Sequence, residues 1–168
     1  MRKKFKDFWN KIKPYILPYA IAIAIPMTVG IVAAALTRDS MDIYDKLKVP
    51  PLAPPAILFP IVWTILYILM GISSAMIYVD RDMKICEAKS GLIWYGASLV
   101  LNFVWSIVFF NLQAALLAFI ILLALLFTII KTMFEYKKVK PIAARLQIPY
   151  AVWVTFAGYL NVCIWFLN

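Results

Sequence analysis

Four long stretches of the chain contain no charged side chain. They cover residues 14–37, 49–79, 90–130 and 146–168, and the third is 41 residues long. A charged side chain is costly at the centre of a bilayer, and a helix needs about 20 apolar residues to cross it. The third stretch is therefore long enough for two helices, divided at the polar pair Asn111 and Gln113. The sequence predicts an all-α integral membrane protein, a bundle of five transmembrane helices.

The boundaries follow from the ends of these stretches. We expect one membrane domain over residues 1–168, with no soluble domain and no internal repeat. We expect spans over about 15–37, 57–79, 91–111, 114–135 and 144–167. The segment 38–56 between the first two spans is rich in proline. Because such a segment loses little entropy on ordering, it could be either a simple helix stop or a preorganised lid over a cavity.

Lysine and arginine are distributed unevenly between the two sides of the predicted bundle. With the N-terminus inside, 14 of the 17 basic residues fall on the inner side. Cytoplasmic loops carry such an excess, so we expect the N-terminus inside and the C-terminus outside. The net charge of +9 is then explained by contacts with anionic lipid headgroups. No nucleic-acid partner is expected.

Several kinds of chemistry are not supported by the residues present. The chain has no histidine, and its two cysteines, Cys86 and Cys163, are far apart in the sequence. These features argue against histidine-ligated metals, a thiolate metal site and histidine-based acid–base catalysis. No acidic or basic residue lies at the centre of a predicted span, which argues against a proton relay. We expect no metal site and no resident cofactor.

Three predicted spans carry large aromatic residues and small or polar residues at helical spacing. These positions are Trp63 and Tyr67 in the second span, Asn102 and Trp105 in the third, and Tyr150, Trp153, Ala157 and Asn161 in the fifth. Each set falls on one face of its helix. Anchoring at the membrane interface and packing between helices explain such residues as readily as a ligand pocket does. If they form a pocket, its aromatic walls favour a flat, apolar ligand.

Five motifs occur in order between about residue 44 and the C-terminus. They are Pro50-x-x-x-Pro54-Pro55, Phe59-Pro60-x-Val62-Trp63-Thr64-x-Leu66-Tyr67, Leu101-Asn102-x-x-Trp105, Ala143-Ala144-Arg145-Leu146 and Pro149-Tyr150-x-x-Trp153-x-x-Phe156-Ala157. In combination they resemble the translocator protein family, also called tryptophan-rich sensory proteins or peripheral-type benzodiazepine receptors.

The resemblance implies a ligand and a set of contact residues. Members of that family are five-helix membrane proteins, often homodimers, that bind porphyrins and benzodiazepine-site molecules in a pocket closed by the first loop. Some bacterial members promote light- and oxygen-dependent breakdown of protoporphyrin IX. By resemblance, the reactive tryptophans are Trp63 and Trp153. The ligand-binding positions carried over in the same way are Tyr44, Tyr67, Asn102, Trp105, Ala157 and Asn161.

Two positions depart from the family pattern. Leu52 stands where the first loop usually has a tryptophan, and Tyr159 is not followed by the Lys or Arg of the proposed cholesterol motif. The second departure favours a bacterial or archaeal source. We therefore expect a membrane receptor for tetrapyrroles, with protoporphyrin IX and the lipid bilayer as partners, and leave porphyrin degradation open. The alternatives are a translocator of porphyrin or lipid and a membrane interaction scaffold.

The spans also contain pairs of small residues four positions apart. Gly71 with Ala75, and Ala20 with Ala24, have this spacing. Such pairs permit close helix approach, within one chain or between two copies, and they are common in membrane helices. A homodimer is therefore an expectation that rests mainly on the resemblance.

Overall fold

The computed structural model describes residues 2–38, 40, 48 and 50–168, with side chains from Lys13 onward. Those residues form helices, turns and short irregular segments, and no strand occurs among them. The helices are α1 (Arg2–Thr37), α2 (Leu58–Val79), α3 (Ile85–Ser106), α4 (Ala115–Val139), α5 (Pro141–Leu146) and α6 (Ile148–Leu167).

Among the described residues, five helical stretches are long and apolar enough to cross a membrane. They are Lys13–Thr37, Leu58–Val79, Ile85–Asn111, Ala115–Val139 and Pro141–Leu167. The prediction of an all-α membrane bundle with five spans is thereby confirmed. Helices extend past the expected spans at four points: α1 starts at Arg2, α3 at Ile85 and α5 at Pro141, and α4 ends at Val139. Charged residues at these ends can stay helical because their side chains reach the polar headgroup region.

The last membrane stretch is interrupted by a buried polar residue. Gln147 separates α5 from α6, and Pro149, which has no backbone N–H, cannot donate to the carbonyl one turn earlier. The side chain of Gln147 donates to Ser73 Oγ at 3.2 Å, and Ser73 donates to the carbonyl of Ala143 at 2.8 Å. These bonds hold the helix break against α2.

The end of α3 widens before the chain reverses. Residues Ile107–Asn111 form a π-helical turn, and Gln113 has a left-handed backbone with φ of 52°. α4 then begins at Ala115 and packs along α3. The π-helical turn brings Phe110 into contact with Trp105, with ring centroids 6.3 Å apart. Turns of this kind often occur at functional sites.

Glycine allows α1 to lie close against α2. A Cβ built on Gly71 would be 2.5 Å from Ile23 Cα, so the backbones meet where only hydrogen fits. Ala75 is fully buried, whereas Ala20 and Ala24 on α1 are exposed. The Gly71 position is therefore used for packing within the chain.

Polar contacts join the segments that lie at each end of the bundle. At one end, Lys48 and Asn168 exchange two hydrogen bonds of 3.0 and 3.1 Å. At the other end, Lys140 Nζ lies 2.7 Å from a carboxylate oxygen of Asp80. The hydrogen bond raises the pKa of Lys140, which lies between two membrane stretches. Which end faces the inside stays a prediction.

Candidate functional site

A cavity of about 300 Å³ lies between α1, α2 and the end of α3. Three residues predicted from the sequence, Trp63, Tyr67 and Trp105, line it. The other lining residues are Met27, Gly30, Ile31, Ala33, Ala34, Thr37, Phe59, Pro60, Thr64, Ser106 and Phe110. None of the lining side chains carries a charge, so the cavity is an uncharged, largely apolar and aromatic space.

Trp63 is the centre of the aromatic wall. Its ring stacks on Tyr67 with centroids 5.4 Å apart and an interplanar angle of 28°. Trp105 and Tyr150 each lie 6.1 Å from it, and Tyr150 meets it edge-on. These distances are typical of favourable aromatic pairs. Three helices therefore position one indole, which remains partly exposed at the cavity.

Asn102 contributes through Tyr67. Its side-chain nitrogen donates to the Tyr67 hydroxyl at 3.0 Å, and only 1% of the residue is exposed. Its side-chain oxygen has no hydrogen-bond partner among the described residues. Asn102 does not line the cavity, and its hydrogen bond instead orients a residue that does.

Ala157 and Asn161 meet Trp105 at a second, smaller space and do not line the cavity. All three line a gap of about 10 Å³, which also touches Phe59 and Phe110. A gap of this size is close to the minimum that holds one water molecule, so it is too small for an organic ligand. Trp105 Nε1 and Asn161 Oδ1 are buried without a hydrogen-bond partner in the described part of the chain. One residue with an unpaired donor and one with an unpaired acceptor therefore line the same small gap.

Trp153 lies behind the cavity wall. It is not among the lining residues, and it contacts the edge of Phe59 with centroids 5.9 Å apart. Phe59 itself lines the cavity. Of the two tryptophans predicted to react, Trp63 thus faces the space directly and Trp153 reaches it through Phe59. The binding and reactive roles assigned from the sequence stay predictions.

The predicted lid is described only in part. Tyr44 and Lys46 lie outside the described residues. The segment 50–56 is described, and the N–H of Ala53 donates to the carbonyl of Pro50 at 2.9 Å in a tight turn. Leu52, at the tip of this turn, is 70% exposed and lines none of the cavities above. A lid function for residues 38–56 therefore also stays a prediction.

Sequence reasoning missed the wall contributed by α1. Gly30 approaches the Tyr67 ring so closely that a Cβ on it would lie 2.2 Å from Tyr67 Cε2. The small residues Ala33 and Ala34 and the polar Thr37 continue this wall, and the Thr37 hydroxyl donates to the Ala33 carbonyl at 2.9 Å. The signal was present as small residues one helical turn apart around Gly30.

The chemistry available at this site is limited to apolar contact, stacking and neutral hydrogen bonds. Among the described residues, no group of three or more Cys, Asp or Glu side chains could hold a metal ion. The cavity lining offers no acidic or basic side chain for proton transfer. A ligand held here would bind by stacking on indole and phenol rings.

Comparisons with known proteins show which family the chain resembles. The model of the TspO/MBR family matches residues 22–166. The chain is 36% identical over 154 residues to the tryptophan-rich protein TspO of Chlorobaculum tepidum, covering 91% of this chain and 97% of that protein. It is 32% identical over 155 residues to the TspO of Archaeoglobus fulgidus, covering 91% and 98%. It is 33% identical over 142 residues to the translocator protein of Bos taurus, covering 84% of each.

Proposed function

The chain belongs to the TspO/MBR family, and we propose that it binds planar tetrapyrroles, protoporphyrin IX foremost, in the cavity that Trp63, Tyr67 and Trp105 line. Family membership supports a translocator or sensory role in a membrane. The observation that carries the proposal is the convergence of three aromatic residues from two helices on one uncharged cavity. Flat aromatic ligands bind such walls by stacking.

The size of the cavity suits part of a large ligand. Its volume of about 300 Å³ is at the lower end of the range of about 300–1,000 Å³ for small-molecule sites. A benzodiazepine-site molecule could enter completely, whereas a porphyrin would extend past the cavity. Thr37 lines the cavity, and the exposed Arg38 follows it. We place the porphyrin propionates toward Arg38, Lys46 and Lys48, since carboxylates need cationic or hydrogen-bonding partners.

Quenching of tryptophan fluorescence by protoporphyrin IX tests the binding proposal. We expect saturable quenching at micromolar ligand, and weaker binding in Trp63→Phe, which removes the central ring of the wall. The matched control is Trp94→Phe, because Trp94 packs against Phe127, away from the cavity. Equal affinities in Trp63→Phe and Trp94→Phe would place the ligand elsewhere.

A photochemical reaction is the second part of the proposal. Light excites the bound porphyrin, and the excited porphyrin takes one electron from an indole, which is left as an oxidised radical. Dioxygen then adds to the porphyrin radical anion and is the oxidant that breaks the ring. Trp63 faces the cavity, and Trp153 lies behind Phe59. We therefore assign direct electron donation to Trp63 and a slower contribution to Trp153.

Bleaching of the porphyrin Soret band under illumination in air measures this reaction. Trp63→Phe should slow bleaching at saturating ligand more than Trp153→Phe does, with Trp94→Phe as the control. Bleaching as fast as free porphyrin in every variant, including the parent, would mean that the protein catalyses nothing.

Translocation is the competing function. It is favoured by the name of a relative, the translocator protein of Bos taurus. Uptake of protoporphyrin IX into liposomes containing the protein, without saturable quenching, would support translocation and contradict the binding proposal. If neither uptake nor quenching occurs, the aromatic residues serve only packing and the protein is an interaction scaffold.

We also propose that the chain forms a homodimer in the membrane. An exposed apolar groove runs between α1 and α3, lined among others by Ala24, Ile25, Val100 and Phe103. Close approach of a second helix at Ala24 is sterically permitted because the residue is small and exposed. Light-scattering mass in detergent and disulfide trapping of Val100→Cys test this arrangement, and a monomer under both conditions would contradict it.

A further inference from the structure

A second groove, separate from the aromatic cavity, lies between α4 and the α5–α6 segment. It has a volume of about 450 Å³ and is at the end of the bundle where Asp80 and Lys140 pair. Its lining combines apolar side chains with two cations, Lys137 and Arg145. The aromatic cavity, by contrast, has no charged lining residue.

The two walls of this groove have the same residue spacing. One wall is Ile130, Met133, Phe134 and Lys137 of α4, and the other is Pro141, Ala144, Arg145 and Ile148 of the α5–α6 segment. Each set falls at i, i+3, i+4 and i+7, the spacing of one helical face, and on the second wall Ile148 follows the helix break at Gln147. Each wall is therefore an apolar stripe that carries one cation toward the same end of the bundle.

The two cations have no carboxylate partner among the described residues. The nearby ion pairs involve other lysines, since Lys138 pairs with Glu135 and Lys140 pairs with Asp80. Lys137 and Arg145 are both exposed. Two positive charges thus flank one end of an apolar groove without neutralisation by the described part of the chain.

We propose that this groove binds one anionic phospholipid. The acyl chain lies along Ile130, Phe134 and Ile148, and the headgroup phosphate pairs with Lys137 and Arg145. Arg145 is one helical turn beyond the first residue of α5, a depth of about 6 Å, from which an arginine side chain reaches the headgroup region. Basic pockets between membrane helices bind anionic headgroups for this electrostatic reason.

The apolar walls and the two cations together favour a phospholipid over a soluble phosphate. A soluble phosphate could contact only the two cations, because the other six lining residues are apolar: Ile130, Met133, Phe134, Pro141, Ala144 and Ile148. A phospholipid covers both surfaces with one molecule. This inference does not depend on tetrapyrrole binding.

Native mass spectrometry of the full-length chain in detergent tests the proposal. The probes are phosphatidylglycerol and phosphatidylcholine with identical acyl chains. We expect the protein to retain phosphatidylglycerol in preference to phosphatidylcholine. Lys137→Gln and Arg145→Gln should each lower the phosphatidylglycerol affinity by about fivefold, and together by about 30-fold, with little effect on phosphatidylcholine.

Lys89→Gln is the matched control. Lys89 lies four residues after the first residue of α3, as Arg145 does in α5, and it is exposed but does not line the groove. The proposal is overturned if Lys89→Gln lowers the affinity as much as Arg145→Gln does, or if the two lipids bind equally. It is also overturned if millimolar glycerol 3-phosphate displaces the lipid, since the groove would then be a site for soluble phosphate. Thermal unfolding of each variant shows that it is folded.

Discussion

A methyl group added at Gly30 should disturb both the packing of α1 and the wall of the aromatic cavity. In Gly30→Ala the new Cβ would lie 2.2 Å from Cε2 and 2.8 Å from Cζ of Tyr67. Carbon atoms in contact stay about 3.5–4.0 Å apart, so the ring or the helix must move by roughly 1 Å or more. The perturbation is therefore a local overpacking between α1 and α2.

The Tyr67 ring is restrained against such a movement. It accepts a 3.0 Å hydrogen bond from Asn102 and stacks on Trp63. A shift of roughly 1 Å takes that hydrogen bond out of range, since a separation of about 3.6 Å is no longer a hydrogen bond. Overpacking of a well-packed interior costs about 1–3 kcal/mol. We expect Gly30→Ala to lower the free energy of unfolding by this amount and to weaken binding of protoporphyrin IX.

Thermal unfolding in detergent, repeated in a Tyr67→Leu background, tests this reasoning. Because Tyr67→Leu removes the atoms that clash, the cost of Gly30→Ala should largely disappear there, giving a coupling energy of about 1–3 kcal/mol. Gly96→Ala is the control, since a Cβ on Gly96 meets no atom within 4 Å. The reasoning is refuted if Gly30→Ala is tolerated as well as Gly96→Ala, or if its cost is the same with and without Tyr67.

Three further predictions concern polar contacts. Asn102→Leu removes the hydrogen bond to Tyr67 and should lower the free energy of unfolding by about 0.6 kcal/mol, at most about 1.7 kcal/mol. Thermal unfolding measures this loss, and an unchanged melting temperature would contradict a structural role for the bond. Asp80→Asn should cost less than about 1 kcal/mol at neutral pH, because the pair with Lys140 is partly exposed. Because Asp80 raises the pKa of Lys140, the pair stabilises the fold fully below the ordinary lysine pKa. This stabilisation is lost as pH rises through the raised pKa. The stabilities of parent and variant should therefore converge in alkaline solution. Asn168→Ala removes both hydrogen bonds to Lys48 and should speed tryptic cleavage after that residue, and equal cleavage rates would show that these bonds do not hold the loop.

The membrane helices were predictable because the controlling energy is local. The cost of placing a charge in the bilayer applies to each residue separately, so charge-free stretches indicate spans without knowledge of their neighbours. Contacts between helices are different, because they depend on which faces meet. Gly71 illustrates this point: its spacing to Ala75 was compatible with packing inside the chain or between two copies. The close approach of Gly71 to the backbone of Ile23 shows that Gly71 is used for packing inside the chain.

The same limit explains why the α1 wall was missed. Helical spacing groups residues on one helix, and it correctly brought Trp63 and Tyr67 to one face. It does not say which neighbouring helix that face meets. Gly30 on α1 opposes Tyr67, and this contact places α1 at the cavity.

Helical spacing alone does not distinguish Trp63 from Trp153 as the electron donor, but their positions in the structure do. Both lie well inside their spans and both contact other aromatic rings. Trp63 lines the cavity, whereas Trp153 does not line it and contacts Phe59, which does. Because electron transfer weakens with distance, a ligand in this cavity should oxidise Trp63 first. A dominant effect of Trp153 on bleaching would therefore mean that the ligand approaches from the Trp153 side of Phe59, outside the cavity described above.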